Sequence, residues 1–148
     1  MTFKAIADTA PVVAAVDRGD RAHALARSIV VRLGRGLVVP DTVAVEVDYF
    51  VRTRLRAASA RLFLQSLADG ALSVAFLTPG LLRRAAEIDE QYADLDLGFV
   101  DASVMAIAER HDLPILTFDY EHFRATRPAQ GHWRLVVDEE TFAAAVGR

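Results

Sequence analysis

The chain has 148 residues, 53% hydrophobic and 25% charged, with a formal net charge of −3 and no cysteine. Such a chain can bury roughly 68–70% of its unfolded surface around an ordinary core, which argues against disorder, while the missing cysteines exclude disulfides, zinc fingers and thiol catalysis. No apolar stretch reaches the roughly 18 residues of a membrane span and the N-terminus lacks the layout of a signal peptide, so the expectation is one cytoplasmic domain over residues 1–148, without a membrane.

Short β-branched runs alternate with longer helical patterns, the sign of βαβ units and a mostly parallel sheet. The first strand is expected at about residues 3–7. Pro11 suits the first turn of a helix running into Val12–Val16. Residues 17–20 read as a turn, with Asp20 capping a helix that ends at Leu33. Gly34 and Gly36 flank a break before a strand at 37–39, which Pro40 ends. Helices follow at about 42–55 and 59–68, and Asp69-Gly70 closes the second. A short strand at 72–76 leads to a helix that starts at Pro79 and runs to about Tyr92. The loop 93–98 precedes a helix at 101–111, then a strand at 114–118 and a short turn or helix at 121–124. A last strand near Arg134–Val137 and a helix from Glu139 complete the α/β pattern, with no repeat or linker in between.

The chain is not a basic nucleic-acid binder overall, yet sixteen of its seventeen basic residues are arginine, Lys4 being the exception. Arg52, Arg54, Arg56 and Arg61 crowd one helical region, and Arg124, Arg127 and Arg134 lie near the C-terminus. Solvated helix faces account for them in the plainest way. Phosphate contacts are the alternative, because the guanidinium fork matches a phosphate.

Four acids fall where strands end or helices begin: Asp8, Glu46, Asp101 and Asp119. Ligands of parallel α/β sheets bind outside the carboxyl ends of the strands. Carboxylates gathered there repel one another unless a cation lies between them, and Mg²⁺ uses such oxygens alongside substrate phosphates. The set therefore points to metal-assisted cleavage of a phosphodiester. Singly, each acid has a plainer reading: Asp8 and Asp101 as helix caps, Asp119 as a turn former. Glu46 borders the apolar side of its helix (Val43, Val47, Phe50, Val51, Leu55), and Asp48 borders the opposite side. The two lie about 160° apart at 3.6 residues per turn, so periodicity leaves the choice between them open. The four histidines show no zinc-type spacing, and there is no nucleophile elbow, Walker loop or complete dinucleotide fingerprint.

At these residues the chain resembles the PIN-domain ribonucleases, and among them the VapC-type toxins of bacterial toxin–antitoxin pairs. The matching pieces are Ile6-Ala-Asp8-Thr9-Ala10, Val43-Ala-Val-Glu46-Val47, Leu97-Gly-Phe-Val-Asp101-Ala-Ser103, and Leu116-Thr-Phe-Asp119 followed by His122-Phe123. They lie in order over nearly the whole chain. The resemblance implies a three-layer α/β/α fold with a mostly parallel sheet of about four to five strands. It implies that the second acid is Glu46 rather than Asp48, and that Asp8, Glu46, Asp101 and Asp119 form a Mg²⁺ site, with Mn²⁺ as an alternative. Asp8 and Asp101 would be the most direct ligands, and Glu46 and Asp119 would act often through water. Thr117 matches a hydroxyl position just before the last acid. Asp94 matches an acid common in the preceding loop, whereas Asp96 stands where proline is usual. A metal-dependent endoribonuclease with an RNA substrate, a cognate antitoxin and a homodimeric state follows as the expectation. A structure-specific DNA nuclease and a catalytically inactive PIN-like binding module are the alternatives. A phosphoacceptor receiver domain would need a lysine after its last strand, which is missing. Apolar residues of helices 42–68 and 79–92 in excess of one small core suggest a groove for an amphipathic helix.

Overall fold

Four short strands, β1 (Ala5–Ala7), β2 (Leu37–Pro40), β3 (Ser73–Ala75) and β4 (Ile115–Leu116), pair in parallel in the order β3-β2-β1-β4. The computed structural model describes residues 2–147. Every residue of β1, β2 and β4 is buried, as expected of parallel strands covered on both faces. The expected last strand is reduced to one parallel bridge, Ile115 with Leu135, held by Ile115 N–H to Arg134 and Val136 N–H to Ile115. The strand expected at 114–118 stops at Leu116. Thr117 turns out of the ladder because its hydroxyl accepts the Asp119 N–H instead, an ST-type turn.

Eight α-helices surround the sheet among the described residues: α1 (Thr9–Val16), α2 (His23–Leu33), α3 (Asp41–Arg54), α4 (Ala57–Ala68), α5 (Pro79–Gln91), α6 (Gly98–His111), α7 (Tyr120–Ala125) and α8 (Glu139–Val146). The chain steps from β1 to β2 to β3 in one direction and then returns past β1 to β4. Right-handed crossovers in opposite directions put α1–α4 on one face and α5–α6 on the other. The packing agrees: α1 lies on α2 and α3, α3 on α4, and α5 on α6. Val43, Val47 and Val51 of α3 are fully buried, one per turn, each contributing roughly 1.5–3 kcal/mol. Leu55, expected on that same side, is exposed because α3 ends at Arg54. Helix α6 is buried continuously from Ala102 to Ala108, so its whole circumference rather than one stripe is covered.

Two helix starts differ from expectation. The N-cap of α2 is Ala22, while the Asp20 carboxylate accepts the Ala22 N–H at 2.8 Å and closes the preceding turn. Helix α6 begins at Gly98, three residues early, through a left-handed Gly98 at φ +85°. Asp101 therefore sits inside the first turn, where its side chain is free to face something other than the helix's own N–H groups. No helix among the described residues is long and apolar enough to cross a membrane.

Candidate active site

The strand order reverses between β1 and β4, and in parallel α/β sheets the ligand crevice lies beyond the carboxyl ends of the strands at such a point. Asp8 follows β1 directly and is 5% exposed. Its carboxylate accepts the Thr9 N–H at 2.9 Å and the Thr117 hydroxyl at 2.8 Å. The cap reading of Asp8 is thus correct, and it leaves lone pairs on both oxygens for a further partner. Next to it, Thr9 Oγ1 is buried without a hydrogen-bond partner.

Asp119 caps α7 by accepting the His122 N–H at 3.2 Å. The same helical turn carries the His122 ring back over the crevice, where Nδ1 lies 2.8 Å from Asp101 Oδ2 and 2.7 Å from Asp119 Oδ2. Asp101 reaches this point from α6, which is fixed against α3 by two hydroxyls: Ser103 donates to the Val100 carbonyl at 2.7 Å and stands 2.6 Å from Thr42 Oγ1. Ligand-type atoms of Asp101, Asp119 and His122 all lie within 4.8 Å of one another. Spacing rules for zinc sites passed His122 over. The signal available in the sequence was its place three residues after a capping aspartate.

Glu46 is half-buried on α3, and its charge, with that of Asp119, acts on Asp8. Asp48 faces away and forms an exposed salt bridge to Arg52 at 2.8 Å. Asp94 is exposed in the 3-10 turn Ala93–Leu95 and is not among the main charges acting on Asp8 or Asp101. Asp96 ends that turn in the left-handed region at φ +51°. Proline is locked near φ −65°, so this loop as it stands does not admit proline at position 96.

Burial raises the Asp8 carboxyl above the ordinary range, against the hydrogen bonds from Thr117 and Thr9 that favour its charge, and Asp119 and Glu46 raise it further. Asp101 is pushed up to about 7, first by burial and then by the charge of Asp8, with His122 opposing. For His122, burial works to lower the pKa but is outweighed by the Asp101 hydrogen bond and the nearby carboxylates, so its pKa is raised. Like charges confined this way are stabilised by a cation, and an oxygen-rich donor set suits a hard divalent ion.

Several arginines of the two sequence clusters are already engaged. Arg52 pairs with Asp48 and Arg124 with Glu139, Arg134 with Asp112, and Arg54 lies over the Phe50 ring at 4.5 Å. Arg56 lines an apolar groove of about 1110 Å³ between α1, α2 and α4, along with Val31, Leu62 and Phe63. The groove draws on the region 42–68 as expected, and not on 79–92.

Residues 5–128 match the PIN domain family. The chain is 34% identical over 127 residues to Ribonuclease VapC26 of Mycobacterium tuberculosis, which covers 85% of this chain and 94% of that protein. Two solved structures share the fold: the M. tuberculosis VapC20 toxin, described as cleaving the sarcin-ricin loop (TM-score 0.75, 19% identity, 82% of this chain and 95% of that one), and a toxin–antitoxin complex from Klebsiella pneumoniae (TM-score 0.63, 16% identity, 89% and 100%). With its acids gathered at the switch point of a β3-β2-β1-β4 sheet and its sequence aligned to a ribonuclease along nearly the whole length of that relative, the chain belongs to the PIN-domain family, in the VapC-type ribonuclease branch.

Proposed function

We infer that this protein is a divalent-metal-dependent endoribonuclease, the toxin of a type II toxin–antitoxin pair, that cleaves RNA phosphodiester bonds at the crevice between Asp8, Glu46, Asp101 and Asp119. The observation that carries the reading is the convergence of Asp8, Asp101 and Asp119, from three different elements, on one sheet edge with Glu46 in electrostatic reach. A bound Mg²⁺ or Mn²⁺ supplies Lewis-acid polarisation of the phosphate and a more acidic water. The chain's own groups do the rest. Asp8, held by Thr117 and the Thr9 N–H, and Asp101, held against His122, present fixed carboxylate oxygens. Glu46 or Asp119, both more exposed than Asp8, orients the attacking water. Single-stranded or looped RNA fits a crevice that must reach unstacked nucleotides. All four acids are present, which disfavours an inactive binding module.

A cognate antitoxin is the partner this reading requires. The groove between α1, α2 and α4 supports it: Val31 is 64% and Leu62 73% exposed there, rimmed by Arg18, Arg27 and Arg56. An amphipathic helix with an acidic border is the complementary shape and charge. A homodimer is the second assembly. Exposed Val45 and Tyr49 of α3, Phe76 after β3, Leu82 of α5 and Phe99 of α6 supply apolar surface for it.

The test is purified protein incubated with total cellular RNA, with and without Mg²⁺ or Mn²⁺, followed by mapping of new 5′ ends. Discrete metal-dependent ends that vanish in Asp8→Asn and Asp101→Asn are expected. Full cleavage by either folded variant sinks the site assignment, and harmlessness of the protein expressed alone sinks the toxin reading.

A further inference from the structure

We propose that His122 is a nitrogen ligand of the cation site, so that this site takes Mn²⁺ and other imidazole-accepting ions in preference to Mg²⁺. The proposal rests on the metal-dependent reading above and concerns which cation the site selects.

Three geometric facts carry it. His122 Nδ1 is 2.8 Å from Asp101 Oδ2 and 2.7 Å from Asp119 Oδ2 at once. As a donor, that nitrogen has one hydrogen for two carboxylates, each of which accepts best along its own direction. Hydrogen-bond geometry is met toward Asp101, so a single N–H leaves the Asp119 oxygen in close contact with the nitrogen as an ion pair alone. Donors bound at roughly 2.0–2.1 Å to one octahedral ion stand about 3 Å apart when adjacent. The two edges that run from the nitrogen to the oxygens are close to that size, and ligand atoms of the three residues all lie within 4.8 Å of one another.

The second fact is that the His122 backbone is held in place independently of any ion. Its N–H donates to Asp119 Oδ1 and its carbonyl accepts the Thr126 hydroxyl at 2.9 Å, which fixes the point from which the ring reaches the two carboxylates. Third, the ring's hydrogen bonds and ion pairs among the described residues run through Nδ1, leaving Nε2 as the protonated nitrogen of the ligand tautomer.

Ligand chemistry then decides the metal. Carboxylates alone suit Mg²⁺, Ca²⁺ and Mn²⁺ alike, and imidazole shifts affinity toward transition ions, while Mg²⁺ gains least from nitrogen. His122 is thus a selector added to an acidic site, and its contribution should be visible with the metal alone.

The experiment uses the whole protein with Mn²⁺ as probe. Electron spin-echo envelope modulation of the Mn²⁺-loaded wild type should show ¹⁴N coupling of a directly bound nitrogen, and this coupling should vanish in His122→Asn. Calorimetric titration should show Mn²⁺ binding weakened roughly tenfold or more in His122→Asn, with Mg²⁺ binding changed less than threefold. Mn²⁺ binding to the wild type without ¹⁴N coupling overturns the proposal while leaving the acidic metal site standing. Failure of the wild type to bind Mn²⁺ at all overturns both. Equal losses of Mn²⁺ and Mg²⁺ affinity would make His122 a hydrogen-bonding positioner and also refute it. The wild-type spectrum decides the matter even if the variant does not fold.

Discussion

The Thr117 hydroxyl donates to Asp8 Oδ2 at 2.8 Å across 109 positions of sequence, and Thr117 Oγ1 in turn accepts the Asp119 N–H at 2.9 Å. One fully buried side chain thereby joins the ends of β1 and β4 and serves two of the acids at once. Thr117→Val keeps the shape but removes both bonds, leaving a buried carboxylate short of a donor and a backbone N–H without its acceptor. The expected cost is about 1–3 kcal/mol, read as a lower urea midpoint at unchanged slope. Thr117→Ser should lose only about 1 kcal/mol, for a missing methyl. If the valine variant is as stable as the serine variant, the hydroxyl bridge is not structural.

Glu46 and Asp48 occupy opposite sides of α3, and of the two it is Glu46 that is among the main charges acting on Asp8, while Asp48 pairs with Arg52. Glu46→Gln should abolish metal-dependent cleavage without unfolding the protein. Asp48→Asn should leave cleavage unchanged and produce only a small, salt-sensitive stability change, since its Arg52 pair is exposed. Reversal of the two outcomes would move the fourth acid to Asp48.

How far the sequence reached can be read from particular elements. Residue types at strand ends and a helix start were enough to expect Asp8, Asp101 and Asp119 near one sheet edge, because a parallel sheet brings its carboxyl ends together wherever the loops go. Strand and helix order followed from periodicity, and the parallel sheet was as expected. The choice of Glu46 over Asp48 was not legible from periodicity, since both border the buried valines of α3; the resemblance supplied it. The start of α6 was missed because a left-handed Gly98 opens the helix without a side-chain cap. His122 was missed because its partners come from α6 and the β4–α7 turn, a juxtaposition that only folding creates.

Asp96 tests the loop before α6. A residue at φ +51° cannot be proline, and its N–H also approaches the Ala93 carbonyl at 3.4 Å. Asp96→Pro should therefore destabilise the protein by about 3 kcal/mol or rearrange the loop, while Asp96→Gly should be neutral or stabilising, because glycine adopts this region without strain. Denaturant midpoints of the two variants check this. An equally stable proline variant would mean the loop takes the family's conformation and that Asp94 belongs closer to the site.

The acids also make a prediction about pH. Asp101 rises from an ordinary 3.8 to about 7 in the folded protein, through burial and then the charge of Asp8. Asp8 is raised too, again mainly by burial. Between pH 4 and 7 the folded state then binds more protons than the unfolded state, so stability falls as pH rises through this window. His122 works in the same direction: with a raised pKa, its contribution is complete below about 6.5 and is lost above its folded value. At one pKa unit per 1.36 kcal/mol, Asp101 alone accounts for at most about 4 kcal/mol, or roughly 10 °C in melting temperature. Carboxylates held low elsewhere, such as Glu109 hydrogen-bonded to Arg84, lose their contribution in acid and cancel when wild type is compared with Asp101→Asn. Without metal at pH 7.5, Asp101→Asn should melt above wild type, and the two should converge toward pH 4. Saturating Mn²⁺ stabilises the wild type by mass action, about 2.7 kcal/mol at a hundred times its dissociation constant, and should reverse the order. A thermal-shift series in chelator and then in metal reads both effects. Parallel curves at every pH, unmoved by the cation, would mean that these carboxylates neither repel one another nor hold a metal.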